Sequence, residues 1–285
     1  MPELFKKILT SRVYEAAIET PLDEANELSK RYGNRILLKR EDQQPVFSFK
    51  IRGAYNKIAH LDVQDRNKGV IAASAGNHAQ GVAFAARKLS IRAVIVMPET
   101  TPKIKIDAVK RYGGEVVLAG NNYSEAAAHA EELVSESGMV PIHPFDDELV
   151  IACQCTIGDE LLRQNPGRLD AVFIPIGGGG LISGIAHYIK TLRPEINIIG
   201  VEPQDSSAMG ASLEAGKRVS LDSVGIFADG VAVRKVGKLT YELCKRHIDQ
   251  IVTVTTDELC SGVKEVYQAT RSIVEPAGGL AMTGL

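Results

Sequence analysis

The chain has 285 residues, 45% of them hydrophobic and 24% charged, and a formal net charge of −2. That leaves room for one large domain or two of about 100–200 residues, and gives no electrostatic footprint for nucleic acid or an anionic membrane. No apolar run reaches the roughly 20 residues that span a bilayer, and Met1 to Thr10 lacks the long apolar core of a secretory leader, so a cytoplasmic protein is expected, its cysteines (Cys153, Cys155, Cys244, Cys260) read as reduced thiols.

In chain order, Ile36–Leu38 reads as a short buried strand. Ser48-Phe49-Lys50-Ile51-Arg52-Gly53-Ala54 then leads into an apolar, helix-like run over Ile51–Leu61. A lone lysine is usually a solvated charge, but Lys50 opens this run. An amine held at a helix start against an apolar pocket is disfavoured in its protonated form and becomes nucleophilic. Val70–Ala73 is the next strand, and Ser74-Ala75-Gly76-Asn77-His78-Ala79-Gln80-Gly81 follows it directly. Small residues with amide donors at a strand–turn–helix junction suit a carboxylate, with a helix over Ala79–Leu89 behind them. His78 reads as a helix-start histidine without an acid–base role, and the other histidines show no ligand spacing.

Ala93–Met97 and Val116–Leu118 read as strands around a helix at Lys103–Tyr112. Thr101 is the expected N-cap of that helix with Pro102 at its first position, and Gly113-Gly114 its stop. Asn121 and Asn122 precede a helix at Ser124–Ser137, and Gly138 follows it. Leu149–Arg163 has helical period and carries Cys153 and Cys155, a C-x-C pair with no second pair nearby. Small buried side chains are the preferred reading over a metal site.

After the strand Ala171–Ile176 come Gly177, Gly178, Gly179, Gly180 and Leu181, running into a helix at Ile182–Leu192. Glycines at such a turn let backbone N–H groups converge on an anion at the positive end of a helix dipole, which marks a phosphate cradle. The run is not G-x-G-x-x-G and lacks the Lys-Ser/Thr of a P-loop. Glu202, after the strand Ile198–Val201, imitates the ribose-binding acid of a dinucleotide fold, which keeps a dinucleotide-dependent oxidoreductase as a distant alternative. Strand and helix signals alternate throughout, the pattern of an α/β fold with parallel sheets.

Together the lysine, serine–asparagine and glycine segments resemble the fold type II pyridoxal-phosphate (PLP) enzymes. Lys39-Arg40-Glu41-Asp42-Gln43-Gln44-Pro45-Val46-Phe47 before Ser48-Phe49-Lys50, and Phe227-Ala228-Asp229-Gly230-Val231-Ala232-Val233, are similar to the biosynthetic threonine dehydratases (threonine ammonia-lyases) within them. The resemblance implies two parallel-sheet, three-layer domains of the tryptophan synthase β-like PLP fold. Residues 1–64 and 148–285 would form a large PLP-binding domain, and 65–147 a small mobile one. It implies that Lys50 holds PLP as a Schiff base, that Gly177, Gly178, Gly179, Gly180 and Leu181 bind its phosphate, and that Asn77 bonds its ring hydroxyl. Phe49 and Gly230 would flank the ring, and Ser74, Ala75, Gly76, Asn77 and His78 would bind the substrate carboxylate.

The implied reaction is dehydration and deamination of L-threonine to 2-oxobutanoate and ammonia, the first step of isoleucine synthesis. The freed Lys50 amine would take the Cα proton while the cofactor accepts the electrons. Ala75 stands where serine racemases of the family carry a serine, so elimination without racemisation is expected. An L-serine dehydratase and an inactive PLP-binding fragment are the alternatives.

The resemblance also marks departures. The family continues past Glu275-Pro276-Ala277-Gly278-Gly279 into further elements, so a C-terminally truncated chain without the regulatory domain is expected. Cys153-Gln154-Cys155-Thr156 stands for Gly-Gln-Gly-Thr, where a cysteine would meet unfavourable φ or fill space near the cofactor. Glu202 matches the first acid of a family metal site, but the aspartate position falls near Ala208, so no required metal is expected. Relatives are dimers or tetramers, which makes a homo-oligomer the expected assembly.

Overall fold

The alternating strand and helix signals become two parallel sheets in a computed structural model that describes residues 2–285. Helices run in the order α1 (Pro2–Leu9), α2 (Asn26–Tyr32), α3 (Lys50–Ala59), α4 (Val63–Lys68), α5 (Asn77–Lys88), α6 (Lys103–Arg111) and α7 (Tyr123–Ser137). They continue as α8 (Glu148–Gln164), α9 (Gly180–Leu192), α10 (Ala208–Glu214), α11 (Lys238–His247), α12 (Thr256–Thr270) and α13 (Pro276–Thr283). The strands are β1 (Leu22–Glu24), β2 (Leu37–Lys39), β3 (Val70–Ala73), β4 (Ala93–Met97), β5 (Glu115–Leu118), β6 (Val140–Pro141), β7 (Ala171–Pro175), β8 (Asn197–Pro203) and β9 (Gln250–Val254). No helix among the described residues is long and apolar enough to cross a membrane.

Contacts divide the chain into two units: residues 2–8, 19–42 and 145–285 form one, and residues 9–18 and 43–144 the other. The helix that opens at Lys50 therefore lies with the sheet of β3–β6.

In that second unit the parallel order is β5-β4-β3-β6. β4 is buried at every position, as an apolar strand between two neighbours must be. From β3 the chain steps outward through β4 and β5, then returns to the other side of β3 as β6. The reversal puts a crevice at the C-terminal ends of β3 and β6, the place where open α/β sheets bind ligands. Ile71, Val94, Val96, Ala126, Ala130 and Met139 pack the sheet against α7. Asn122 Oδ1 caps α7 by accepting the Glu125 N–H at 3.1 Å, and Gly138 closes it in the left-handed region at φ 69°. At α6 the expected cap moves by one residue. Pro102 is the N-cap, with φ −57° and ψ 139°, and the Thr101 hydroxyl is buried without a hydrogen bond. The proline ring fixes φ but leaves ψ extended, so Pro102 precedes the helix rather than opening it.

In the first unit the order is β7-β8-β9, all parallel, beside an antiparallel β1–β2 pair. Val201, Val254, Leu259 and Leu280 join β8 and β9 to α12 and α13 in one core. Asp147 Oδ1 caps α8 by accepting from Leu149 N and Val150 N at 2.8 and 3.2 Å. Lys39, on β2, is nearly buried and meets the fully buried Glu160 of α8 at 2.6 Å, while the Arg40 guanidinium grips Asp42 and Asp23. The Lys39–Asp42 part of the family signature is thus a structural ion network.

Candidate active site

In the second unit the chemistry collects at the crevice beside β3. The β3 end runs through Ser74–Gly76 into α5, and Gly81 on α5 lies against the start of α3. A Cβ at Gly81 would stand 3.1 Å from the Lys50 carbonyl carbon and oxygen, a tight contact that glycine relieves. Lys50 is the first residue of α3, after Phe49 at the N-cap, and its Nζ sits 5.2 Å from the Phe49 ring centroid.

The segment leaving β6 holds two site residues by two of its carbonyls. Ile142 O accepts from His78 Nε2 at 2.7 Å, and Pro144 O accepts from Lys50 Nζ at 3.2 Å. Two residues apart on extended chain, these carbonyls point the same way. Donation to a carbonyl fixes the proton on Nε2 of His78 and leaves Nδ1 as an acceptor. Burial, followed by the positive charge of Lys50, lowers the His78 pKa from 6.5 to about 3, so the ring is neutral.

Hydrogen bonding narrows the carboxylate donors expected over Ser74–His78. Ser74 N–H is committed to Val96 O at 3.1 Å, and Gly76 N–H faces Ser74 Oγ at 3.3 Å. The His78 imidazole donates to Ile142. The Ser74 hydroxyl, the Ala75 N–H and the first-turn N–H groups of α5, which have no acceptor within the helix, are the other donors of this segment.

In the first unit the glycine run closes onto its surroundings so tightly that side chains have no place. A Cβ at Gly177 would lie 2.9 Å from Val231 Cα, one at Gly180 2.8 Å from Phe145 Cβ, and one at Gly178 would overlap the Phe145 ring. Gly179, the N-cap of α9, has φ 92°, where L side chains are strained. Gly180 and Leu181 open α9, so their N–H groups lack intrahelical acceptors. Gly230 lies in the 229–231 turn beside Gly177, packed against Ala277 and Glu275. The amine at the start of α3 suits an aldehyde, and separately the Cβ-free turn of N–H donors at the head of α9 suits a phosphate, the two groups that PLP carries.

Three features read differently once folded. Cys153 and Cys155 lie inside α8, and neither has positive φ, so no backbone strain attaches to them. Both are buried, with Sγ groups on the carbonyls of Val150 and Ile151. The carboxylate of Glu202 is fully buried and accepts from Met209 N and Gly210 N at 2.9 and 2.8 Å, which removes it from any ribose-binding role. Burial raises its pKa to about 7. Sequence reasoning also missed Asp146, Thr240 and the carbonyls of Ile142 and Pro144. Only Asp146 left a signal: two aspartates precede α8, and one is enough to cap it.

The family model described as pyridoxal-phosphate dependent enzyme matches residues 13–285. The chain belongs to the pyridoxal-phosphate dependent enzyme family. Among curated members of that family, it is 56% identical over 285 residues to a biosynthetic L-threonine dehydratase of Burkholderia multivorans, covering 99% of this chain and 56% of that protein. It is 54% identical to a biosynthetic, chloroplastic threonine dehydratase of Arabidopsis thaliana, covering 99% and 48%. The chain thus spans about half the length of the curated relatives it matches. Among solved members, the processed form of threonine deaminase isoform 2 from Solanum lycopersicum superposes with a TM-score of 0.97 at 51% identity, over 99% of this chain and 77% of that one. Maize serine racemase superposes at 0.94 with 33% identity, over 99% and 85%.

Proposed function

We propose that the chain carries the catalytic machinery of a threonine ammonia-lyase, converting L-threonine to 2-oxobutanoate and ammonia at the head of isoleucine synthesis. The observation that carries this reading is the run Gly177–Gly180 at the head of α9, where no Cβ fits and the first N–H groups of the helix have no intrahelical acceptor. The threonine dehydratases among its relatives support the choice of substrate.

In this reading Gly177, Gly178, Gly179, Gly180 and Leu181 hold the cofactor's phosphate, Asn77 its ring hydroxyl, and Phe49 and Gly230 flank its ring. When bound, PLP supplies the electron sink at the amino-acid Cα. Lys50 would hold the aldehyde, and its amine, once free, would be placed to take the Cα proton. The segment Ser74, Ala75, Gly76, Asn77 and His78 supplies the donors for the substrate carboxylate. His78, whose Nε2 proton is given to Ile142 O, takes no part in the proton transfer in this reading, and Lys50 is the base. Ala75 has no hydroxyl to return a proton to the opposite face, which favours elimination over racemisation. A homo-oligomer in the cytoplasm belongs to the same reading.

Steady-state formation of 2-oxobutanoate from L-threonine, with Lys50→Ala as control, tests the reading. Product with the wild type alone supports it. Turnover of L-serine but not L-threonine would replace it with a serine dehydratase, and Schiff-base absorbance without product would leave an inert PLP binder. Appreciable D-serine after incubation with L-serine would refute the role given to Ala75.

A further inference from the structure

Deepening the proposed function, on which it rests, we infer that Thr240 and Asp146 are positioning residues that aim the glycine turn at the phosphate. The Gly178 carbonyl is pulled away from the cradle by Thr240 Oγ1, which donates to it at 2.7 Å, with Gly237 N–H behind at 3.4 Å. In a trans peptide the carbonyl oxygen and the following N–H point in opposite directions. Anchoring Gly178 O on Thr240 therefore turns the Gly179 N–H the other way, into the concave side of the turn. Gly179 lies directly against Thr240, since a Cβ there would stand 2.9 Å from Thr240 Cβ.

Thr240 is fixed in turn by a cap supplied from another part of the chain. The N-cap of α11 is Gly237, which has no side chain to satisfy the first N–H groups of that helix. Asp146 takes them instead, accepting from Lys238 N and Leu239 N at 2.8 Å each and from Thr240 N at 3.3 Å. A Cβ at Gly237 would collide with the Asp146 carboxylate, so the glycine makes room for it. The neighbouring Phe145 lays its ring on Gly178 and its Cβ near Gly180. One dipeptide, Phe145-Asp146, thus packs the glycine turn from one side and holds the threonine that orients it from the other. Thr240 is fully buried, so its hydroxyl has no competing water.

The test is PLP affinity, read by titrating the apo-protein and following Schiff-base absorbance, together with binding of inorganic phosphate followed by phosphorus NMR linewidth. Thr240→Val keeps shape and removes the donor. It is expected to weaken both ligands about tenfold, the size of one net hydrogen bond, while Thr240→Ser stays within about twofold of wild type. Unchanged affinities in Thr240→Val, or equal losses in Thr240→Ser, would overturn the inference. Should Thr240→Val not fold, Asp146→Asn carries the test, with an expected loss of about threefold in both affinities and overturn if neither moves. A wild type that binds phosphate but never forms the Schiff base sinks the proposed function, and the phosphate arm still decides the clamp.

Discussion

Replacing His78 with glutamine should flatten the acid limb of the stability profile. In the folded chain the imidazole is neutral, its pKa lowered from 6.5 to about 3 by burial and then by the Lys50 charge. In the unfolded chain the ring takes a proton as pH falls through 6.5. The unfolded state therefore binds more protons at every pH below that value. The His78 contribution is fully present above 6.5 and is lost progressively as pH falls toward 3. At about 1.4 kcal/mol per pH unit, the loss between pH 7 and pH 5 is about 2 kcal/mol. Glutamine can still donate to Ile142 O but does not titrate. Urea unfolding at pH 7 and pH 5 should show the wild type losing about 2 kcal/mol more than His78→Gln, with carboxylate titrations cancelling in the comparison. Parallel losses, within about 0.5 kcal/mol, would refute the claim that His78 is buried neutral beside Lys50.

Other predictions follow from the same geometry. Glu160→Ala leaves the nearly buried Lys39 ammonium on the neutral acceptors Thr20 O and Gln164 Oε1 without a carboxylate, and should cost about 3 kcal/mol by urea unfolding; a cost under about 1 kcal/mol contradicts the buried network. Gly178→Ala drives a methyl into the Phe145 ring, and should destabilise by about 1–3 kcal/mol and weaken PLP binding more than tenfold, against no change if the turn is merely flexible. Cys153, Cys155 and Cys244 are buried, burial raising the thiol pKa of the last two, whereas Cys260 is exposed. A thiol reagent should therefore titrate one group in the native protein and four after denaturation.

Much of the fold was legible because its strands are apolar and its turns are chemically explicit. Val70–Ala73 and Ala93–Met97 emerge with the bounds read from the sequence, since a buried parallel strand is a continuous apolar run ended by turn residues. The Gly177–Gly180 run and the α7 caps were readable for the same reason. β6, only two residues long, has too short a pattern to register, yet its position creates the crevice and its following carbonyls hold His78 and Lys50. The expected strain at Cys153 and Cys155 vanished because both are helical, a fact of backbone conformation that residue type alone does not carry. Asp146 and Thr240 escaped notice because their partners lie more than 60 residues away.

Everything turns on Lys50 as the residue that takes up the aldehyde. Incubating the protein with PLP, reducing with borohydride and mapping the added mass by peptide mass spectrometry puts that to the test most directly. One stoichiometric label is expected on the peptide containing Lys50, lost in Lys50→Ala. A label on another lysine, or none while the protein remains folded, would contradict it.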